Sequence, residues 1–347
     1  MLTYILKRLT LMLPTLLGIL TITFLVVQFV PGGPVDQVIA SMKHLNHHGE
    51  AGGSAYRGGQ DLSPDQLKQI TKLYGFDKPP IERYFTMLSH YARFDLGDSF
   101  MHSEPVWTLI KEKLPVTLSL GLWTFFMSYL ISIPLGIAKA VRQGTKFDMS
   151  TTFLVLLGYA VPGFVLGVAL IVLFAGGTFL EWFPLRGLVS DNWQDLSWAA
   201  RIRDYFWHLC LPLICLAIEQ FAVVTMLTKN TFLEEIRKQY VLVARAKGLS
   251  ERQVLYKHVF RNALLPIITG LPAAVLAALF GGDLLIETLF SLDGIGLLSY
   301  ESVLRRDFPV VLGLLFITTL LGLVIKLVCD LLYVVVDPRV QFGAAAK

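Results

Sequence analysis

Six apolar runs dominate this chain, at residues 9–30, 117–138, 152–175, 209–227, 264–290 and 310–336. Each is long enough to cross about 30 Å of hydrocarbon as a helix. In that solvent every backbone N–H and C=O must be satisfied within the protein, which leaves the α-helix as the form open to an apolar run of this length. A soluble fold is excluded on surface grounds. With 54% hydrophobic and only 16% charged residues, the chain has too few polar side chains to cover a water-facing surface. The first run follows Lys7 and Arg8, as a secretion signal would, but it is longer than a signal core and no A-x-A site follows, so it is expected to persist as the first span. The expected fold class is an all-α integral membrane protein with six transmembrane helices.

Lysine and arginine set the expected orientation. If both termini share one side, that side holds Lys7, Arg8, Lys139, Arg142, Lys146, the basic group from Lys229 to Arg261, Arg339 and Lys347, against only Asp148, Glu234, Glu235, Glu251 and Asp337. Basic loops remain in the cytoplasm. Both termini are therefore expected inside, and the chain divides into a tail and first span (1–30), an external region (31–116), a five-helix membrane domain (117–337) containing a basic cytoplasmic segment (228–263), and a final tail (338–347). Membrane lipid is the surrounding partner this pattern implies; nucleic acid is not.

In the external region, Ser63-Pro64-Asp65-Gln66 supplies an N-cap, a first-turn proline and a capping-box glutamine, and Gly75 a stop, which predicts a helix at 64–74. Ile81, Tyr84, Phe85, Leu88 and Tyr91 or Ala92 recur at helical spacing, predicting a second helix that lies against the outer ends of the spans or the membrane interface. Residues 43–60 are rich in Gly and His and read as a loop. His44, His47 and His48 have only Glu50 as a nearby carboxylate, too little for a metal site.

Between the fourth and fifth runs, Tyr240-Val-Leu-Val-Ala-Arg-Ala-Lys-Gly248 leads into Leu249-Ser-Glu-Arg-Gln253 and on to Pro266. Ser250 and Gln253 form a capping box that starts a helix, and Gly248 can take the left-handed conformation that ends the one before. Two short helices should meet at a sharp corner, kept slim by Ala244, Ala246 and Gly248 and ringed by Arg245, Lys247, Arg252, Lys257 and Arg261. Charge alone would fit any cytoplasmic loop; the slim corner suits insertion into a cleft of another protein.

This small-residue turn, followed by Pro266 at the next span, resembles the coupling-loop signature of ABC importer permeases. The likeness covers nearly the whole chain. Pro14-Thr-Leu-Leu-Gly18, Pro31-Gly-Gly-Pro34, Tyr74-Gly-Phe-Asp-Lys-Pro79, Asp95-Leu-Gly-Asp-Ser99, Leu114-Pro-Val-Thr-Leu118, Glu287-Thr-Leu-Phe290, Gly294-Ile-Gly296 and Arg306-Asp-Phe-Pro309 are similar to the dipeptide, oligopeptide and nickel permease family. Gly33, Tyr56-Arg-Gly-Gly59 and Phe183-Pro-Leu-Arg-Gly-Leu-Val-Ser190 look most like its YejB-type subgroup, linked to oligopeptide and microcin C uptake. Met226-Leu-Thr-Lys-Asn230 departs from the paired arginines usual in the family.

The resemblance implies the type I ABC importer permease fold in a bacterial inner membrane. It further implies a homologous second permease, a cytoplasmic ABC ATPase subunit or fused ATPase that binds ATP and Mg, and a periplasmic peptide-binding protein. It assigns ATPase coupling to Ala244, Arg245, Ala246, Lys247, Gly248, Leu249 and Arg252. The chain has no G-x-x-x-x-G-K-[ST] loop, so it is expected to bind no cofactor itself and to be a translocation subunit rather than an enzyme. Oligopeptides, peptide antibiotics such as microcin C among them, are the expected cargo. Dipeptides or nickel are the alternatives within the family, and an ion-coupled secondary transporter the alternative outside it.

Ionisable residues within spans are costly and point to function or to a local partner. Lys326 and Asp330 are one turn apart in the sixth run and are expected to form a mutual ion pair or a contact that locks the bundle. Glu219 in the fourth run and Asp283 in the fifth are candidates for a polar translocation path, where an acid could meet a peptide ammonium. Glu287 joins them, although a structural hydrogen bond suits it equally. Cys210, Cys215 and Cys329 fall in apolar runs and read as inert thiols. Deleting residues 44–59 will leave the membrane core assembled, because that stretch has little apolar area to bury. Co-purification with the second permease measures this, and loss of assembly would contradict the reading of a peripheral loop.

Overall fold

The computed structural model describes residues 2–29, 77–177 and 179–336. The expectations for 43–60, for a helix at 64–74 and for His44, His47 and His48 lie outside them. Apart from a 3-10 turn at Trp193–Asp195 and an isolated bridge between Asp98 and Pro105, the regular structure described is helical. It comprises α1 (Leu2–Phe29), α2 (Pro80–Tyr91), α3 (Val106–Val141), α4 (Lys146–Ala160), α5 (Gly163–Phe174), α6 (Trp198–Ile236) and α7 (Gln239–Ala246). There follow α8, which runs through Glu251–Gln253, Val254–Val259 and Phe260–Ala263, then α9 (Leu265–Phe280), α10 (Leu284–Leu289), α11 (Ile295–Leu304) and α12 (Phe308–Val336). Among the described residues, five segments are long and apolar enough to span a membrane alone, and α4 with α5, taken together as one bent span, would make a sixth.

That sixth span corrects the reading of 152–175 as one continuous helix: α4 and α5 meet at 93°. Val161 at the break is extended, with φ −96° and ψ 116°, because the ring of Pro162 keeps its predecessor out of the helical region and its nitrogen has no hydrogen to donate. The run at 264–290 is also interrupted, between the end of α9 at Phe280 and the start of α10 at Leu284. Of the two readings for the last span, the mutual ion pair is not seen: Lys326 is exposed on α12 and is not joined to Asp330, which has an interaction of its own.

The described residues form two compact units, one from Met1–Glu112 with Leu298–Leu320 and the other from Lys113–Leu297 with Leu321–Lys347. In the first, α2 follows Pro79 and Pro80, which preset its first turn, and confirms the helical spacing from Ile81 onward. Tyr84 shares a 2.6 Å hydrogen bond with Thr21 and stacks edge-on against Phe24, while Arg83 donates to Gln28 at 2.6 Å. The helix thus lies on the end of α1, as expected. Buried Asp307 accepts from the Ser99 hydroxyl and, at 3.0 Å, from the Phe100 N–H. Two family-like motifs far apart in sequence are thereby one hydrogen-bonded unit. The Gly97 N–H and the His90 ring beside Asp95 hold its carboxyl below the usual carboxylate range.

The second unit has one apolar cluster around Leu120, Leu209, Leu211, Cys215, Ile286, Phe290 and Leu292, and another at the far end of α6 around Phe232. Near the latter lies a buried charge cluster. Lys139 is wholly buried; its Nζ reaches Thr151 at 2.9 Å, Thr152 at 2.7 Å and Asp148 at 3.5 Å, and Lys229 meets the same carboxylate at 2.6 Å. These residues, counted at first as loop charges, tie α3, α4 and α6 together. Removing one member of a buried ion pair strands the other, so Asp148→Asn will destabilise the protein by about 3–5 kcal/mol. Adding Lys139→Met will recover part of the loss. Thermal unfolding in detergent reads both, and a single variant as stable as the parent would contradict this role.

Candidate functional site

The corner between α7 and α8 is built from local rules. α7 ends in a Schellman motif: the Leu249 N–H reaches Ala244 O at 3.4 Å and the Gly248 N–H reaches Arg245 O at 2.9 Å, with Gly248 at φ +79°. A Cβ on Gly248 would meet no atom within 4 Å, so the need for glycine is set by backbone angle alone. Ser250 then caps α8 through the expected box, its hydroxyl accepting from the Gln253 N–H while Gln253 Oε1 accepts from the Ser250 N–H at 3.1 Å. Arg245 closes the outside of the turn by a two-point contact with Glu251 at 2.9 and 3.0 Å.

Inside the corner, Val241, Ala244, Val254, Val259 and Ala263 pack with Phe232, Ile137 and Ala140. The middle of α8 is π-helical over Val254–Val259, and this wider turn brings Val254 and Val259, five residues apart, to the same buried side. The expectation that Ala244 slims the exposed corner is corrected: Ala244 is 5% exposed, and its small side chain lets α7 settle on its own subunit. Ala246, Lys247, Gly248 and Arg252 are exposed and Leu249 half-buried. Leu242 and Val243 add apolar surface, 59% and 52% exposed, and a cavity of about 330 Å³ opens beside Arg245, Arg252 and Tyr256.

A polar knot closes the base of the corner. The Tyr240 hydroxyl donates to Glu235 at 2.7 Å and accepts from Asn262 at 3.3 Å, and Lys238 bonds Glu235 as well. Burial raises the Tyr240 pKa above its ordinary value, and the hydrogen bond to Glu235 raises that of Lys238, so both remain proton donors at neutral pH. Sequence reading missed this knot and the Arg245–Glu251 pair. Asn262, one turn before Pro266, carried no capping or charge signal to mark it.

The three intramembrane acids are not brought together. Glu219 and Asp283 line a second cavity of about 330 Å³, with Thr117, Gly121 and Thr124 of α3 on another wall. Glu219 is exposed on the subunit and engages no described residue. Asp283 caps α10, its Oδ1 accepting from the N–H groups of Leu285 and Ile286 at 3.0 Å each. Glu287, one turn after Asp283 on α10, does not line the cavity and is wholly buried behind Gly282. Its Oε2 accepts from the Leu297 N–H at 2.7 Å, and a Cβ on Gly294 or Gly282 would come within 2.4 or 2.6 Å of Oε1. The Glu287 and Gly294-Ile-Gly296 motifs are one packed unit. Thr124 was missed although its signal was present: Thr117, Gly121, Thr124, Ser128 and Ser132 make a small, polar stripe at helical spacing within an apolar run.

With this geometry in place, residues 132–342 match the family described as the inner membrane component of binding-protein-dependent transport systems. The chain belongs to that family. It is 55% identical to the peptidoglycan transport system permease protein YejB of Agrobacterium fabrum and 51% identical to the inner membrane ABC transporter permease protein YejB of Escherichia coli O157:H7, over 98% of both chains in each case. It is 35% identical to the dipeptide transport system permease protein DppB of Lactococcus lactis subsp. cremoris, over 98% of this chain and 100% of that one. An inward-facing structure of the MetNI methionine ABC transporter superposes with a TM-score of 0.51 at 17% identity, covering 68% of this chain and 99% of the other, and shows the fold expected from the resemblance. The permease is thus a multi-pass inner membrane protein. Ser250→Ala will weaken the start of α8 by about 1 kcal/mol. Hydrogen exchange at the Gln253 amide will quicken, and unchanged protection would contradict the capping role.

Proposed function

We propose that this permease carries oligopeptides from periplasm to cytoplasm as one half of the membrane path of an ATP-driven importer. The observation that carries this reading is full-length identity to YejB permeases, one of them named for peptidoglycan transport, with dipeptide and oligopeptide permeases among the more distant relatives. Peptide-containing cargo is named for three of these relatives, so cell-wall peptides and peptide antibiotics such as microcin C belong among the first cargoes to test.

On this reading both termini are cytoplasmic, ATP and Mg are bound by a partner ATPase, a homologous second permease completes the path, and a periplasmic binding protein delivers cargo. The permease has no ATPase site of its own. The exposed face of the corner, from Leu242 through Arg252, docks into the ATPase, and Lys247 and Arg252 at its rim steer that docking. Closure of the ATPases displaces the corner as a rigid body, and its packing on α3 and α6 passes the movement to the spans.

Reconstitution with the two partner subunits and the binding protein tests this directly, with uptake of a labelled peptide driven by ATP as the readout. A bulky β-branched residue at φ +79° is strained by about 1–2 kcal/mol. Gly248→Val will lower uptake by about tenfold, the factor that about 1.4 kcal/mol represents, while Gly248→Asn, which tolerates the left-handed region, will stay near the parent rate. Parental uptake by a well-assembled Gly248→Val complex would contradict the coupling role.

A further inference from the structure

We propose that the cavity between Glu219 and Asp283 binds the ammonium group of the cargo, so that a peptide is held by its positive end partway through the membrane; this rests on the peptide-importer reading above. Glu219 lies near the middle of α6, exposed on the subunit and engaged by no described residue. A carboxylate at such depth needs water or a cation to stay ionised. Asp283 spends Oδ1 on two backbone N–H groups, which fixes the carboxylate at the cavity and leaves Oδ2 without a partner among the described residues.

Thr124 supplies an independent sign. It lines the same cavity, is 7% exposed, and its hydroxyl, itself buried, has no hydrogen-bond partner among the described residues. Such a group in a native protein calls for a ligand or water to satisfy it. An ammonium offers three N–H donors and no acceptor, and the carboxylates of Glu219 and Asp283 supply acceptors at this cavity, which Gln220 and Thr124 also line. No basic side chain lines the cavity, whose remaining wall includes Ala274, Ala277, Ala278 and Gly121. Those small residues leave room for the first residue of a peptide beside its amino group. A bare metal ion is the poorer fit, since no group of three or more His, Cys, Asp or Glu gathers among the described residues.

The test uses the complete importer in proteoliposomes and one peptide in two forms, with a free and an acetylated amino terminus. The readout is the ratio of their uptake rates, compared between parent and variant complexes so that the binding protein's own preference cancels. Glu219→Gln and Asp283→Asn, the latter keeping the cap on α10, will each lower the free-to-acetylated ratio by about tenfold, the lower end of the effect of focused charge on local ion concentration. Thr124→Val will lower the ratio in the same direction without changing net charge. An acetylated peptide carrying an internal lysine shows whether a side-chain ammonium serves equally. An unchanged ratio in all three variants overturns the proposal. So does failure of Glu219→Gln to assemble, which would assign Glu219 to a cation of the second permease. If the parent complex takes up neither form, the peptide-importer reading fails instead.

Discussion

Val241, Ala244, Val254, Val259 and Ala263 share one apolar cluster with Phe232 of α6 and Ile137 and Ala140 of α3, and that contact makes a rigid body of the turn at Gly248. A helix as short as α7 is marginal by itself, since nucleation costs more than a few hydrogen bonds return. Each fully buried Val contributes about 1.5–3 kcal/mol, enough to hold both short helices in place. The knot of Tyr240, Glu235 and Asn262 then fixes the angle at which the pair leaves α6. A load applied to the exposed face has no soft joint to dissipate it before reaching the long helices.

The corner was legible in sequence because its chemistry is local: Gly248, Ser250 and Gln253 act on residues within one turn of themselves. The knot was not, because Glu235, Tyr240 and Asn262 meet only after both helices have packed. The same reason hid the joining of Ser99 to Asp307 and of Glu287 to Gly294, which had looked like separate motifs. The bend at Val161 and Pro162 was a different kind of miss. Its cause stands in the sequence, but a measure of apolar length passes over a proline that changes the direction of a run without changing its hydropathy.

Ionisable groups at apolar depth meet their cost here in two ways. Lys139, Lys229 and Asp148 compensate one another within reach of the Thr151 and Thr152 hydroxyls, and Glu287 accepts a backbone N–H in a space shaped by glycines. The cluster of Lys139, Asp148 and Lys229 is a closed arrangement that serves packing, while Glu287 is packed in the interior with Oε1 lacking a partner among the described residues. Glu219 is the reverse case, exposed on its subunit and without a partner among the described residues. The sequence already offered Glu287, unlike Glu219, a structural hydrogen bond as an alternative role, and burial and hydrogen bonding now separate the two. The closed groups hold helices together, while the open one is available to something outside the subunit.

The central claim is that the face around Leu242 meets the ATPase while the side chains beneath it hold the permease together. A photo-crosslinking amino acid at Leu242, 59% exposed, tests it in the assembled complex, with Phe153 of α4, 66% exposed, as the reference. The account predicts an adduct between position 242 and the ATPase subunit and none from position 153. Absence of an ATPase adduct at 242 in a complex that still hydrolyses ATP, or equal adducts from both positions, would contradict it.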